Sequence, residues 1–92
     1  MSTSLIFHTA FYKFVVLDDV DAMVEKLRAL TANLHGSILV AEEGINGMIA
    51  GSEAALDAFE QALLQDQHFA GMVFKRSECK TIPFRKMKVH KK

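Results

Sequence analysis

A single cysteine, a single proline, no tryptophan and only three basic residues before position 75 are what this 92-residue sequence has least of. One cysteine excludes a disulfide framework and any multi-cysteine metal site within the chain, and it suits a reducing compartment. The four histidines (His8, His35, His68 and His90) are scattered, with no i, i+4 pair and no Cys-x-x-Cys, so no metal site is expected. The opening residues, MSTSLIFHTAFYKF, carry no basic segment ahead of their apolar stretch, which His8, Thr9 and Lys13 interrupt. They read neither as a signal peptide nor as a membrane span, and the expected location is the cytoplasm. Internal repeats and low-complexity segments are absent.

What is present is a globular composition: half the residues are hydrophobic, with seven phenylalanines among them. A chain of this size buries roughly 60–65% of its unfolded surface, enough for one small domain with little stability in reserve. The net charge of zero hides a split. Residues 1–74 hold three basic residues against ten acidic ones, a balance of −7; residues 75–92 hold eight against one, a balance of +7. A basic segment of this kind either meets an anionic partner or folds back on its own acidic body.

The order of elements follows from periodicity. Residues 5–17 (LIFHTAFYKFVVL) are rich in aromatic and β-branched residues and predict a long first strand. Asp18 or Asp19 can cap a helix whose apolar positions Val20, Met23, Val24, Leu27, Leu30 and Leu34 recur at helical spacing, with Gly36 closing it. SILVA (37–41) and GMIAG (47–51) read as the second and third strands. Ser52 can cap a second helix that turns Ala55, Leu56, Phe59 and Leu63 inward, and GMVFKRS (71–77) reads as a fourth strand. The order β-α-β-β-α-β predicts an α+β, ferredoxin-like sandwich, an antiparallel sheet with two helices on one face and the other face open. The expected division is a ferredoxin-like domain over 1–78 and a basic C-terminal segment over 79–92.

The segment AEEGING (41–47) falls between the second and third strands. Gly44 and Gly47 can supply positive φ, Asn46 tolerates it, and Asn-Gly is a strong hairpin signal. A turn does not require Glu42 and Glu43, so these two and Asn46 are candidates for a functional contact: an RNA 2′-hydroxyl, a salt bridge to the basic tail, or a contact with another domain.

AEEGINGMIAG, preceded by FYKFVVLDD and followed by FKRSECKTIPFRKMKV, resembles the N-terminal domain of the rhodanese-type tRNA uridine hydroxylases, long known as an uncharacterised rhodanese-related family. The resemblance runs through essentially all 92 residues in order. It implies an acylphosphatase-like, ferredoxin-like domain joined to a rhodanese domain that carries the active-site cysteine, in a protein that hydroxylates the wobble uridine of certain tRNAs with oxygen as the source. The expected partners are tRNA and the rhodanese domain of the same parent chain, toward which the segment 79–92 would lead. The rhodanese cysteine is absent, so no residue of this chain inherits a catalytic role, and no cofactor is expected.

Other chemistries fare worse. Cys79 has a basic neighbour, Lys80, but no base at a recognisable spacing, and reads as an ordinary thiol. Acylphosphatase chemistry needs a phosphate-cradling loop with an arginine after the first strand; VVLDDVDAM is acidic there and would repel an anion. RNA binding is the reading that the basic segment favours. Lys75, Arg76, Lys80, Arg85, Lys86 and Lys88 can neutralise phosphates, and strand alternation sets Lys86, Lys88 and His90 on one side against Arg85, Met87 and Val89 on the other. Phe84 is assigned to packing. The Lys/Arg-Gly-Phe strand of RNA-recognition domains is missing, so binding is expected to be electrostatic rather than by base stacking. The alternative is a non-catalytic domain that docks on its own rhodanese domain.

Overall fold

The aromatic and β-branched run at the start forms β1 (Ile6–Phe14), which pairs with two neighbours at once. The computed structural model describes residues 6–80 and 86–92. After β1 come α1 (Val20–Leu30), β2 (His35–Ala41), β3 (Gly44–Ser52), α2 (Glu53–Leu64), a short 3₁₀ turn (Gln67–Phe69), β4 (Lys75–Cys79) and β5 (Met87–Lys91). The sheet order is β4-β1-β3-β2-β5; the first four strands are antiparallel to their neighbours, as expected of the ferredoxin-like plan, and β5 adds a fifth strand parallel to β2.

Both helices begin where the sequence places their caps. The Asp19 carboxylate accepts from the Ala22 amide at 3.0 Å, and the Ser52 hydroxyl accepts from the Ala55 amide at 3.2 Å. From α1, Met23, Val24 and Leu27 are buried; from α2, Leu56, Phe59 and Leu63. They cover Phe11, Ile38, Val40, Ile45 and Ile49 on the facing side of the sheet. Phe11, Phe59 and Phe74 form an aromatic cluster, with ring centroids 5.6 to 6.5 Å apart.

Gly36 does not close α1. The helix stops at Thr31, whose amide donates to the Leu27 carbonyl at 3.0 Å and whose buried hydroxyl donates to the same carbonyl at 2.7 Å and reaches the Arg28 carbonyl, an orphan acceptor of the last turn, at 3.3 Å. Gly36 lies instead within β2 at φ +138°, where a Cβ would sit 2.1 Å from the Met48 carbonyl oxygen. The hairpin also differs from the expected one. Its turn is Glu42 and Glu43, and Gly44, at φ +144°, opens β3; Asn46 and Gly47 are strand residues without positive φ. The core sets this register, because Val40 pairs with Ile45 and both must face the helices. β4 starts four residues later than expected, since Phe69, Met72 and Phe74 are drawn toward the core first.

The basic C-terminal segment enters this same sheet. Within β5, Val89 is buried and Met87 half-buried, while Lys88 and His90 are exposed. The Gly36 amide donates to the Lys86 carbonyl and the Lys92 amide to the Val40 carbonyl, which brackets the parallel pairing. Arg28 of α1 donates to the Val89 carbonyl at 3.2 Å. Burying a valine contributes on the order of 2 kcal/mol, so β5 is held by packing as well as by its ladder.

Candidate nucleic-acid interface

Side chains of a strand alternate between faces, and residues paired across a ladder share one. With Phe11, Ile38, Ile45 and Val89 facing the helices, the register assigns the opposite face to Tyr12, Phe14, Asn46, Met48, Ser37, Leu39, Lys75, Lys88 and their neighbours. None of the described helices covers this face. Among the described strand residues it carries no carboxylate, because Glu78 pairs with Phe7 and so belongs to the helix side. The acids of the helices, Asp21, Glu25, Glu53, Asp57 and Glu60, lie in the layer on the other side of the sheet. The molecule is therefore polarised across its thickness.

One end of the open face is aromatic. Tyr12 is 67% and Phe14 81% exposed, and their ring centroids lie 6.0 Å apart in an edge-on arrangement. Asn46 is the cross-strand partner of Tyr12 and is exposed beside it. Next to them Met48 is 42% exposed. These residues, with Val73 and Lys75, line a shallow groove of about 960 Å³.

The expected basic residues do not form one stripe. Lys75 on β4 and Lys88 on β5 share a single cross-sheet row, through Ala10, Met48 and Ser37, but stand at opposite edges. Arg76 points to the helix side, where it donates to Asp57 at 3.0 Å and Glu60 at 2.7 Å. The Glu60 bond and, less strongly, the Asp57 bond hold its pKa above the ordinary arginine value despite the opposing effect of burial. Lys80 and Lys86 are exposed at the end of the sheet where β1 begins. Lys75, Lys80, Lys86 and Lys88 form no ion pair among the described residues, whereas Lys91 pairs with Asp21 and Lys92 with Glu43. Arg85 and Phe84 lie outside the described residues.

Glu42 and Glu43 occupy the opposite end of the sheet from Lys80 and Lys86. Their main-chain carbonyls accept from Leu17 and Val15, which ties the continuation of β1 to the hairpin. The Glu43 carboxylate lies 3.3 Å from Lys92 Nζ, so of the roles open to it a bond to the basic tail is present. Asn46 is no part of the turn. It belongs to the aromatic end of the open face, a placement that the Asn-Gly hairpin signal concealed.

Tyr12 and Phe14 are the residues that sequence reasoning missed. Their signal was present in FHTAFYKF: Phe7, Thr9 and Phe11 alternate inward, which leaves Tyr12 and Phe14 out of phase with the core. Cys79 is half-buried, and among the described residues no group of three or more His, Cys, Asp or Glu side chains could hold a metal ion. Among the described residues no helix is long and apolar enough to cross a membrane.

A second charged cluster lies at the 3₁₀ turn ahead of the groove residues Gly71, Met72 and Val73. Asp66 caps the 3₁₀ turn by accepting from the His68 amide at 2.9 Å, takes Lys26 Nζ at 2.6 Å, and lies 2.7 Å from His68 Nδ1. Burial alone would raise its pKa; the bonds from Lys26 and His68 outweigh burial and lower it from 3.8 to about 2. The turn seats Phe69 in the core, and the next residue, Ala70, accepts from Lys13 Nζ at 2.8 Å.

The family described as the UPF0176 acylphosphatase-like domain matches residues 6–92. A tRNA uridine(34) hydroxylase of Cupriavidus necator is 45% identical over 85 residues, which cover 88% of this chain and 29% of the relative. The protein of the same name from Bradyrhizobium diazoefficiens is 43% identical over 89 residues, covering 90% of this chain and 35% of the relative. The chain thus spans about a third of the length of the curated relatives it matches. Among solved structures, BlrB, a BLUF protein, superposes with a TM-score of 0.75 at 13% identity, covering 98% of this chain and 75% of that one, a likeness of fold alone. By the extent of the family match and the identity to these relatives, the chain belongs to the UPF0176 acylphosphatase-like domain family.

Proposed function

We propose that this chain is the accessory domain of a tRNA wobble-uridine hydroxylase and that it helps to bind or position tRNA. The observation that carries this reading is the polarity of charge across the sheet. The helix layer is acidic, while the open face has no described carboxylate among its strand residues and exposed lysines at both edges. A polyanion is attracted to such a face and repelled from the other. The chemistry of hydroxylation is assigned to the rest of the parent protein, with no catalytic residue and no cofactor in this chain. The site of action is the cytoplasm, with the tRNA.

A second reading rests on a different observation. Tyr12, Phe14, Val16, Met48 and Val73 are exposed large apolar side chains, the kind of patch that marks a protein-protein surface. The domain would then dock on the rhodanese domain of its parent chain. The two readings separate in an NMR titration of the 92-residue chain with a tRNA anticodon stem-loop. Amide shifts at Lys75 and Lys88 that fade as salt is raised are the expected result. A spectrum unchanged at low salt overturns the tRNA reading and leaves docking.

A further inference from the structure

We propose that the open face of the sheet binds unpaired nucleotides, with the rings of Tyr12 and Phe14 as the stacking platform, the Asn46 amide as the partner of a base edge, and Lys75 and Lys88 as phosphate contacts at the two edges. This rests on the tRNA reading above and narrows it to a single-stranded segment of two or three nucleotides.

The aromatic pair is the first argument. Among the described phenylalanines Phe14 alone is exposed; Phe11, Phe59 and Phe69 are buried, and Phe7 and Phe74 are half-buried. It stands two residues from Tyr12 on the same strand, so both rings project from one face. Their interplanar angle of 68° joins the edge of one ring to the other instead of stacking them face to face. Bases of a duplex have no free face to offer such rings, whereas unpaired bases stack on aromatic side chains.

The second argument is the polar group placed among the rings. Asn46 sits opposite Tyr12 on β3, exposed, within the floor of the groove. Its amide carries both donors and an acceptor and can bond the edge of a base lying over the neighbouring ring. A surface built only for an apolar protein partner has no use for an amide at that point.

The third is dimension and charge. Lys75 and Lys88 lie in one row, four inter-strand spacings apart, which is about 19 Å at roughly 4.8 Å per spacing. RNA-recognition sheets of this architecture stack two or three bases across a comparable face. The absence of described carboxylates among the face's strand residues suits a polyanion. The glutamates nearest to the rings lie at the hairpin rim, and Glu43 there is bonded to Lys92.

The test uses a property of the sequence. Tyr12 is the only tyrosine and there is no tryptophan, so the intrinsic emission of the chain reports on the platform directly. A single-stranded pentauridylate and a blunt RNA duplex are titrated into the 92-residue chain, with affinity read in parallel by anisotropy of the labelled RNA. The expected result is saturable quenching by the single strand and none by the duplex. Tyr12→Leu and Phe14→Leu should each weaken single-strand binding by about five- to a hundredfold, the span of measured base-aromatic stacking. Both sites are solvent-exposed, and unchanged circular dichroism shows that the variants remain folded. Equal affinity for strand and duplex, with no quenching and no effect of either leucine variant, overturns stacking and leaves an electrostatic tRNA contact standing. Failure of pentauridylate, duplex and anticodon stem-loop alike overturns both readings. A dimer that Phe14→Ser converts to monomer, with no RNA bound, assigns the face to a second copy and overturns the proposal.

Discussion

Replacing Asp66 by asparagine should cost this domain much of its margin at neutral pH and little in acid. The carboxylate is only 10% exposed and receives three bonds, from Lys26 Nζ and from the amide and ring of His68. These hold its folded pKa at about 2, against an ordinary value of 3.8. A difference of nearly two pKa units corresponds to about 2 kcal/mol. Because the folded pKa is the depressed one, this stability is fully present well above pH 3.8 and disappears as pH falls toward 2. In a domain of this size about 2 kcal/mol moves the melting midpoint by roughly 8–16 °C. The assay is urea denaturation of the wild type and of Asp66→Asn at a series of pH values from 7 down to the acid limit. The gap between the two should be about 2 kcal/mol at pH 7 and should close as the wild-type carboxylate takes up its proton. Equal stability at pH 7 would refute the argument. So would a gap that does not change with pH, because the asparagine would then have removed packing or shape and not an ionised acceptor.

Three further expectations follow from single features. Arg76→Ala removes both carboxylate bonds that join β4 to α2, from a side chain only 23% exposed, and should lower unfolding free energy by about 1–2 kcal/mol in urea melts; an unchanged midpoint would mean that the clamp contributes nothing. Gly44→Ala forces an L side chain to φ +144° with its Cβ 2.0 Å from the Lys13 carbonyl oxygen; a loss of at least about 2 kcal/mol is expected by the same method, and near-native stability would sink the assigned backbone. Lys75→Gln and Lys88→Gln should each lower the slope of log affinity against log salt for the anticodon stem-loop by about 0.7, and slopes identical to wild type would remove these lysines from the interface.

The parts of this fold that depend on local chemistry were legible in the sequence. Asp19 and Ser52 cap their helices because a short oxygen acceptor ahead of an apolar period does so in nearly any context. The strand character of FHTAFYKF was equally plain. The misreadings share a physical cause, which is competition between a local signal and the core. Asn46-Gly47 is a strong turn dipeptide, yet a turn there would not set Val40 opposite Ile45. The sheet placed the turn at Glu42 and Glu43 instead, and left Gly44 to take the positive φ. Gly36 fits a helix end by type, but Thr31 closes α1 first, with its amide on the Leu27 carbonyl and its hydroxyl on the Leu27 and Arg28 carbonyls. The alternation within β5 was read but its parallel pairing with β2 was not, because an edge strand is placed by which apolar side chains, here Val89 and Met87, find space beside β2 and under α1. The candidate site was half visible: its lysines stood out by charge, its rings did not, since Tyr12 and Phe14 look like core until the phase of the strand is known.

That phase also resolves the charge split between body and tail. The basic residues after position 74 were open to two readings, one in which they neutralise the acidic body and one in which they face an anionic partner. Strand alternation accounts for the first and leaves residues available for the second, the proposed one. Arg76 and Lys91 turn toward the helices and pair with Asp57, Glu60 and Asp21, which draws β4 and β5 onto the acidic layer. Lys75 and Lys88, one and three positions away in the chain, fall on the other face and form no ion pair among the described residues. A tail that only neutralised its body would have no reason to leave lysines in register across the uncovered side. A tail that only sought a partner would have left the acidic helices uncompensated and its own strands less firmly attached. The period of two sorts a strongly basic sequence into a helix-side set that pairs with the acids of the body and a set on the open face that pairs with none of the described residues.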